Sequence, residues 1–150
     1  MTPQTNDTAQ KLLQVTMMLM RSLASSMRAG EDGLSPAHVG IMARLDGAPC
    51  SLTELARTQW VRLPTMSRSV SLLVDKGLAE RQIPEGNRRQ TMVSLTPEGK
   101  RVLERIKRRN ERHVAEVLEP LDAAERTKVH AGLTILGRML SPTDAVKKTR

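Results

Sequence analysis

Apolar residues recur at helical spacing along most of the chain and alternate at strand spacing in only one region. From Thr8 to about Ala29 there is neither Pro nor Gly, and Leu13, Met17, Met20, Leu23 and Met27 follow at intervals of three or four, which predicts an amphipathic helix. Met18 and Leu19 widen its apolar surface beyond one side. A helix apolar on more than one side wants two neighbours, and a second subunit can be one of them. "AGEDGLSP" then breaks the pattern, with Ser35 placed as an N-cap and Pro36 at the first helical position. The next helix turns Ile41, Met42 and Leu45 inward and stops at "DGAP". In "SLTELARTQWV", Ser51 and Glu54 have capping-box spacing ahead of Leu52, Leu55 and Ala56, which predicts a short helix of about ten residues.

After "VRLP" a helix is predicted from Pro64 to about Lys76, closed by Gly77, with Met66, Val70, Leu73 and Val74 facing inward. Its other face shows Thr65, Arg68 and Ser69, flanked by Ser67 and Ser71. Small hydroxyls around one Arg suit a reading surface, although Ser and Thr also occur on ordinary helix surfaces. "LAERQI" and "QTMVSL" read as two short strands joined by "PEGNRR", with Val93 and Leu95 on one face by alternation. Thr96, Pro97 and Glu98 then start a helix running to about Leu118. Its apolar stripe is Leu103, Ile106, Val114, Val117 and Leu121, broken by Asn110, and its other side carries Arg101, Arg105, Arg108, Arg109 and Arg112. Such a basic row is more often a solvated face than a binding site. Pro120 marks a break, Asp122 and Glu125 suggest a second capping box, and Val129, Leu133, Leu136 and Leu140 line a last helix before a tail expected to fray.

Composition sharpens this picture. With no Phe, no Tyr and one Trp in 150 residues, the core must be aliphatic and Met-rich. Hydrophobic residues at 39% and charged residues at 27% indicate a folded soluble chain rather than a disordered one. Lys and Arg number 24 against 16 acids, a formal charge of +8, which points to a polyanionic partner, nucleic acid ahead of a membrane surface. The lone Cys50 excludes an intramolecular disulfide and fits a reducing compartment. "MTPQTNDTAQ" has neither a basic nor an apolar leader region and no run reaches membrane-spanning length, so a cytoplasmic location is expected.

The predicted order is four helices, a hairpin, a long helix and a last helix, and the segment from Ser51 to Leu95 has the pattern of a winged helix-turn-helix. Within it "TELA", "SRSVSLLVDKGLAER" and "RRQTMVSLTPEG", at their mutual spacing, resemble the MarR (multiple-antibiotic-resistance regulator) family of bacterial transcription factors. The motif block covers Ser51 to Ile106, and the helices on either side match in layout. The resemblance implies a mainly α fold with a small β-hairpin wing, and an intertwined homodimer. Residues 1–34 and 101–150 would supply the dimerisation helices and 35–100 the winged unit. It implies two recognition helices facing successive major grooves of a pseudo-palindromic DNA operator. Carried over by position, Thr65, Ser67, Arg68 and Ser71 are candidate base and phosphate contacts at the start of the recognition helix. The family's wing carries Asp-x-Arg, with the Arg entering the minor groove; here those positions are Asn87 and Arg89, beside Arg88. Asn87 lacks the carboxylate that would pair with Arg89, and Arg62 stands where the family commonly has Ser, exchanging an N-cap for a phosphate contact.

Enzyme chemistry finds no support: there is no phosphate-binding Gly loop, no G-x-S-x-G and no H-E-x-x-H. No catalytic residue, cofactor or metal is expected. His38, His113 and His130 are far apart in sequence, and only the first two are candidates to approach one another. Cys50 reads as an incidental thiol, although a following helix N-terminus predicts a lowered pKa for it. The resemblance also implies a small anionic or aromatic effector between dimerisation helices and winged unit, lined here by Met17, Met20, Met42 and Arg44, although Met stripes are usually core filler. An effector that favours a different spacing of the recognition helices would release the DNA. The expected function is thus a DNA-binding repressor. The rival readings are a winged-helix protein-interaction module and a low-specificity chromosome-coating protein.

Overall fold

The computed structural model describes residues 4–28, 32–83, 86 and 91–140. Helix α1 spans Thr5–Arg28, starting three residues before the expected Thr8. The early start has a local cause: the Asp7 carboxylate turns back to accept from the Gln4 N–H at 3.3 Å, and the Gln4 carbonyl accepts from Thr8. Helix α2 (Pro36–Gly47) opens as expected on Ser35, whose hydroxyl accepts from the His38 N–H. The reciprocal bond is unforeseen, because the His38 ring nitrogen Nδ1 accepts from the Ser35 N–H at 3.1 Å, taking the place of the usual Glu or Gln. Burial, and then the Lys76 ammonium, hold that imidazole below its ordinary pKa, in the neutral form an acceptor requires.

Helix α3 (Leu52–Thr58) is seven residues long, shorter than expected. The Ser51 hydroxyl caps it by accepting from the Glu54 N–H, while the Glu54 carboxylate takes the Arg44 guanidinium at 3.2 Å instead of closing a capping box. Helix α4 (Leu63–Asp75) ends at Gly77, whose φ of 69° places it in the left-handed region. There the Gly77 N–H reaches the Val74 carbonyl and the Leu78 N–H reaches that of Leu73, a Schellman closure.

The wing is one strand richer than the expected hairpin. Strands β2 (Ala79–Gln82) and β3 (Met92–Leu95) pair antiparallel, and β1 (Cys50–Ser51) adds to the other side of β3, giving the order β1-β3-β2. Cys50 lies opposite Val93, and Ala79 opposite Leu95. Cys50 therefore lies in the sheet and is fully buried.

Helix α5 spans Pro97–Leu118. Thr96 fastens its start to the end of α4: its hydroxyl donates to the Gly77 carbonyl at 2.7 Å and accepts from the Gly99 N–H at 3.0 Å, and its own N–H donates to the Leu78 carbonyl. A Cβ at Gly99 would collide with the Leu78 carbonyl, so this approach requires glycine. The core inside this frame is aliphatic and sulfur-bearing, as the composition demanded. Ile41, Met42, Leu55, Met66, Val70, Leu73, Val93, Leu103 and Ile106 are all essentially sealed from water.

The chain divides into two compact units, Met1–His113 and Val114–Arg150. In the second, Asp122 and Glu125 exchange the two bonds of the expected capping box and start α6 (Ala123–Leu140). No residue of α6 is buried, and Val129, Leu133, Ile135, Met139 and Leu140 are exposed large apolar side chains. In the first unit α1 likewise exposes Leu13, Met17, Met18, Leu19 and Met20.

Candidate nucleic-acid interface

The inward stripe of α4 fixes which way its other face looks. Met66, Val70 and Leu73 are buried, so Thr65 and Arg68 project outward at the opposite side, with Ser67, Ser69 and Ser71 half-buried along the edges. Arg62 is the N-cap residue and exposed, and its side chain makes no capping bond, as its replacement of a capping Ser implied. The first turn of α4 therefore keeps uncapped N–H groups beside an arginine, an arrangement that attracts anions.

One sequence candidate is otherwise engaged. The Ser71 hydroxyl donates to the Ser67 carbonyl at 2.9 Å and accepts from Arg81 Nη2 at 2.8 Å. Arg81, on β2, also donates to the Ser67 carbonyl, and so clamps the wing strand to the middle of α4. Sequence reading missed Arg81 because nothing local marks it; its partners lie 10 and 14 residues away. A cleft of about 410 Å³ opens beside this face, lined by Ser51, Leu52, Thr53, Leu63, Pro64, Ser67 and Thr91. Asn87, Arg88 and Arg89 lie outside the described residues.

Charge is unevenly committed. On α5, Arg101 pairs with Glu98, Lys107 with Asp46 and Glu104, and Arg105 and Arg109 both with Asp32. Burial alone would raise the Asp32 carboxyl, but the two guanidiniums outweigh it and hold the pKa below its ordinary value. Residues 55 to 74, by contrast, contain Arg57, Arg62 and Arg68 and no Asp or Glu.

Residues 32–90 match the MarR family model. Over this segment, less than half of its length, the chain is similar to the MarR family. Solved structures agree on the fold. Wild-type MarR from Escherichia coli superposes with a TM-score of 0.77 at 20% identity, covering 94% of this chain and 98% of that one. RV1404 from Mycobacterium tuberculosis gives 0.76 at 22% identity, covering 92% and 95%. FabT from Streptococcus pneumoniae, solved in complex with DNA, gives 0.69 at 21% identity, covering 91% and 97%. No curated protein sequence matches the chain.

Met42 is fully buried in the core, Met17 and Met20 are exposed on α1, and Arg44 is held by Glu54. Neither the cleft beside α4 nor a second of about 450 Å³ along the basic side of α5 is lined by any of the four. His38 caps α2, and the ring nitrogen Nε2 of His113 meets the Ser22 hydroxyl at 2.7 Å. Among the described residues no three His, Cys, Asp or Glu side chains converge on one point, and no helix is long and apolar enough to cross a membrane. The Cys50 thiol corrects the expected direction: burial, then its hydrogen bond to the Glu54 carboxylate, push its pKa up. The α3 N-terminus does not overcome those two effects.

Proposed function

We propose that this chain acts as a homodimeric, sequence-specific DNA-binding transcriptional regulator, a cytoplasmic repressor rather than an enzyme, with α4 as its recognition helix. The observation that carries the reading is the outer face of α4: Arg62, Thr65 and Arg68 exposed on a helix locked by three buried side chains, in a stretch with no acidic residue. Arg68 suits a bidentate guanine contact, and Arg62, Thr65 and Ser67 suit phosphates or base edges. Ser71 acts through Arg81 rather than on DNA directly. The wing-tip residues Asn87, Arg88 and Arg89 follow the α4 contact into the adjoining backbone or minor groove.

The homodimer is supported by two exposed apolar faces, one on α1 and one on α6, which a second copy would cover. In this division residues 1–34 and 101–150 serve dimerisation and 35–100 reads DNA. Release by a small anionic or aromatic effector completes the reading. Of its candidate lining residues, Met17, Met20 and Arg44 have surface to offer, whereas Met42 has none in the single chain.

The test is selection of duplexes from a randomised library, followed by mobility shifts with selected and scrambled DNA across a salt series. A specific regulator prefers the selected, palindromic duplex by roughly 10³-fold or more. Equal affinity for both duplexes would instead leave a chromosome-coating protein, and no binding at low salt would leave a protein-interaction module.

A further inference from the structure

Two helices of this chain end in the same hydrogen-bonded closure with opposite residues at its critical position. At the end of α4, the Lys76 N–H reaches the Leu72 carbonyl, that of Gly77 reaches Val74 and that of Leu78 reaches Leu73. At the end of α3, the Gln59 N–H reaches the Leu55 carbonyl, that of Trp60 reaches Arg57 and that of Val61 reaches Ala56. The second pattern repeats the first bond for bond, with Trp60 in the place of Gly77. Its φ is 54°, against 69° for Gly77, and Trp60 is the only non-glycine residue with positive φ among the described residues. A left-handed conformation is disfavoured for a bulky side chain and free for glycine.

The indole gains nothing inside the molecule for that strain, because Trp60 is 95% exposed. The chain's one Trp thus occupies a site that glycine would fill better, with its whole ring in water. A strained, exposed aromatic at a helix-turn-helix turn calls for a role outside the chain. Its surroundings select the partner. Exposed Arg57 and Arg62 flank it, no acid occurs between residues 55 and 74, and Leu63 begins the candidate recognition helix three residues later. An indole offers a flat apolar face and one N–H donor with no acceptor, which matches a deoxyribose face and a phosphate oxygen.

We infer that Trp60 is a DNA contact, packing on the sugar-phosphate backbone that borders the groove entered by α4. The inference rests on the DNA-binding reading above and adds an anchor to it. Since the chain has one Trp and no Tyr, its intrinsic emission reports this residue alone.

The experiment titrates the full-length protein with its selected duplex, following Trp60 emission and a mobility shift in parallel, and repeats the shift and a thermal melt with Trp60→Gly. Saturating duplex quenches or shifts the emission. Trp60→Gly binds about tenfold more weakly and melts at the same or a higher temperature, because glycine relieves the left-handed strain. A merely structural tryptophan would move affinity and melting together downward. Wild type that shifts the duplex with unaltered emission, or a Trp60→Gly variant of equal affinity, overturns the contact and leaves DNA binding standing. Emission changed by purified RNA polymerase and not by duplex assigns the indole to a protein surface and also overturns it. Wild type that binds no duplex removes both readings.

Discussion

Asp32→Asn is expected to destabilise the protein by about 2 kcal/mol at neutral pH, and the loss should vanish in acid. Asp32 precedes α2 and ties it to α5 through Arg105 at 2.8 Å and Arg109 at 3.0 Å. The two bonds differ in worth. Arg105 has 59% of its side chain in water, so its share is below about 1 kcal/mol by comparison with exposed ion pairs. Arg109 is 25% exposed against a carboxylate that is 12% exposed, and a charge-assisted bond there contributes about 1.5–3 kcal/mol. Asn keeps one acceptor oxygen and removes the charge, which recovers part of that total. Arg109 makes the loss harder to absorb, because its Nε is already buried without a partner among the described residues. The sign with pH follows from the lowered carboxyl pKa. A group depressed on folding contributes in full above its unfolded value, 3.8 for an ordinary Asp, and loses that contribution as pH falls through the folded value. Urea unfolding followed by helix circular dichroism, at fixed protomer concentration, measures the gap between wild type and variant. It should hold steady from about pH 7 to about pH 5 and close below about pH 4. A gap absent at pH 7, or one that persists undiminished in acid, would refute the charge-based argument. Emission from Trp60 is a poor probe here, since that indole is already in water in the folded state.

Three further outcomes test the frame and the interface. Gly99→Ala drives a methyl into the Leu78 carbonyl and should cost about 1–3 kcal/mol, read as a melting temperature lower by about 2–4 °C per kcal/mol. Arg68→Ala should cost about 1–3 kcal/mol of affinity for the selected duplex while leaving scrambled DNA unaffected; a uniform loss in the mobility shift demotes Arg68 to a phosphate contact. Met18→Glu puts a charge on the exposed apolar face of α1 and should weaken self-association by about 10²-fold or more in sedimentation.

Legibility in the sequence followed the range over which a signal acts. The helices and the core were readable because burial imposes a period: Ile41, Met42 and Leu45, or Met66, Val70 and Leu73, stand where a helix must turn them inward. Caps were readable where one residue type carries them, as at Ser35, Gly77 and Asp122. The His38 half of the first cap was not, since imidazole seldom plays the part of Glu there. Strand β1 escaped because two residues are too few to alternate, so nothing in the sequence marked Cys50 as part of the sheet. Arg81 escaped because its clamp on Ser67 and Ser71 exists only once β2 lies along α4. Trp60 registered in the composition as a solitary aromatic, and only the backbone shows that it sits where glycine belongs.

The same limit of range decides what the basic composition means. In the sequence, the arginines of α5 form a longer and denser basic row than those around α4. Their neutralising partners are only partly local. Glu98 lies three residues from Arg101, but Asp46 comes from 61 residues away, and Asp32 from 73 and 77. Folding therefore consumes much of the α5 charge in tying that helix to the segments around α2. No acid is placed within residues 55 to 74, so Arg62 and Arg68 have none from their own segment, whereas Arg57 has Glu54 one turn away on α3. The field that a nucleic acid meets is then stronger at the α3–α4 turn than a count of arginines along the chain suggests. That is also where the chain's single Trp stands, with its ring exposed.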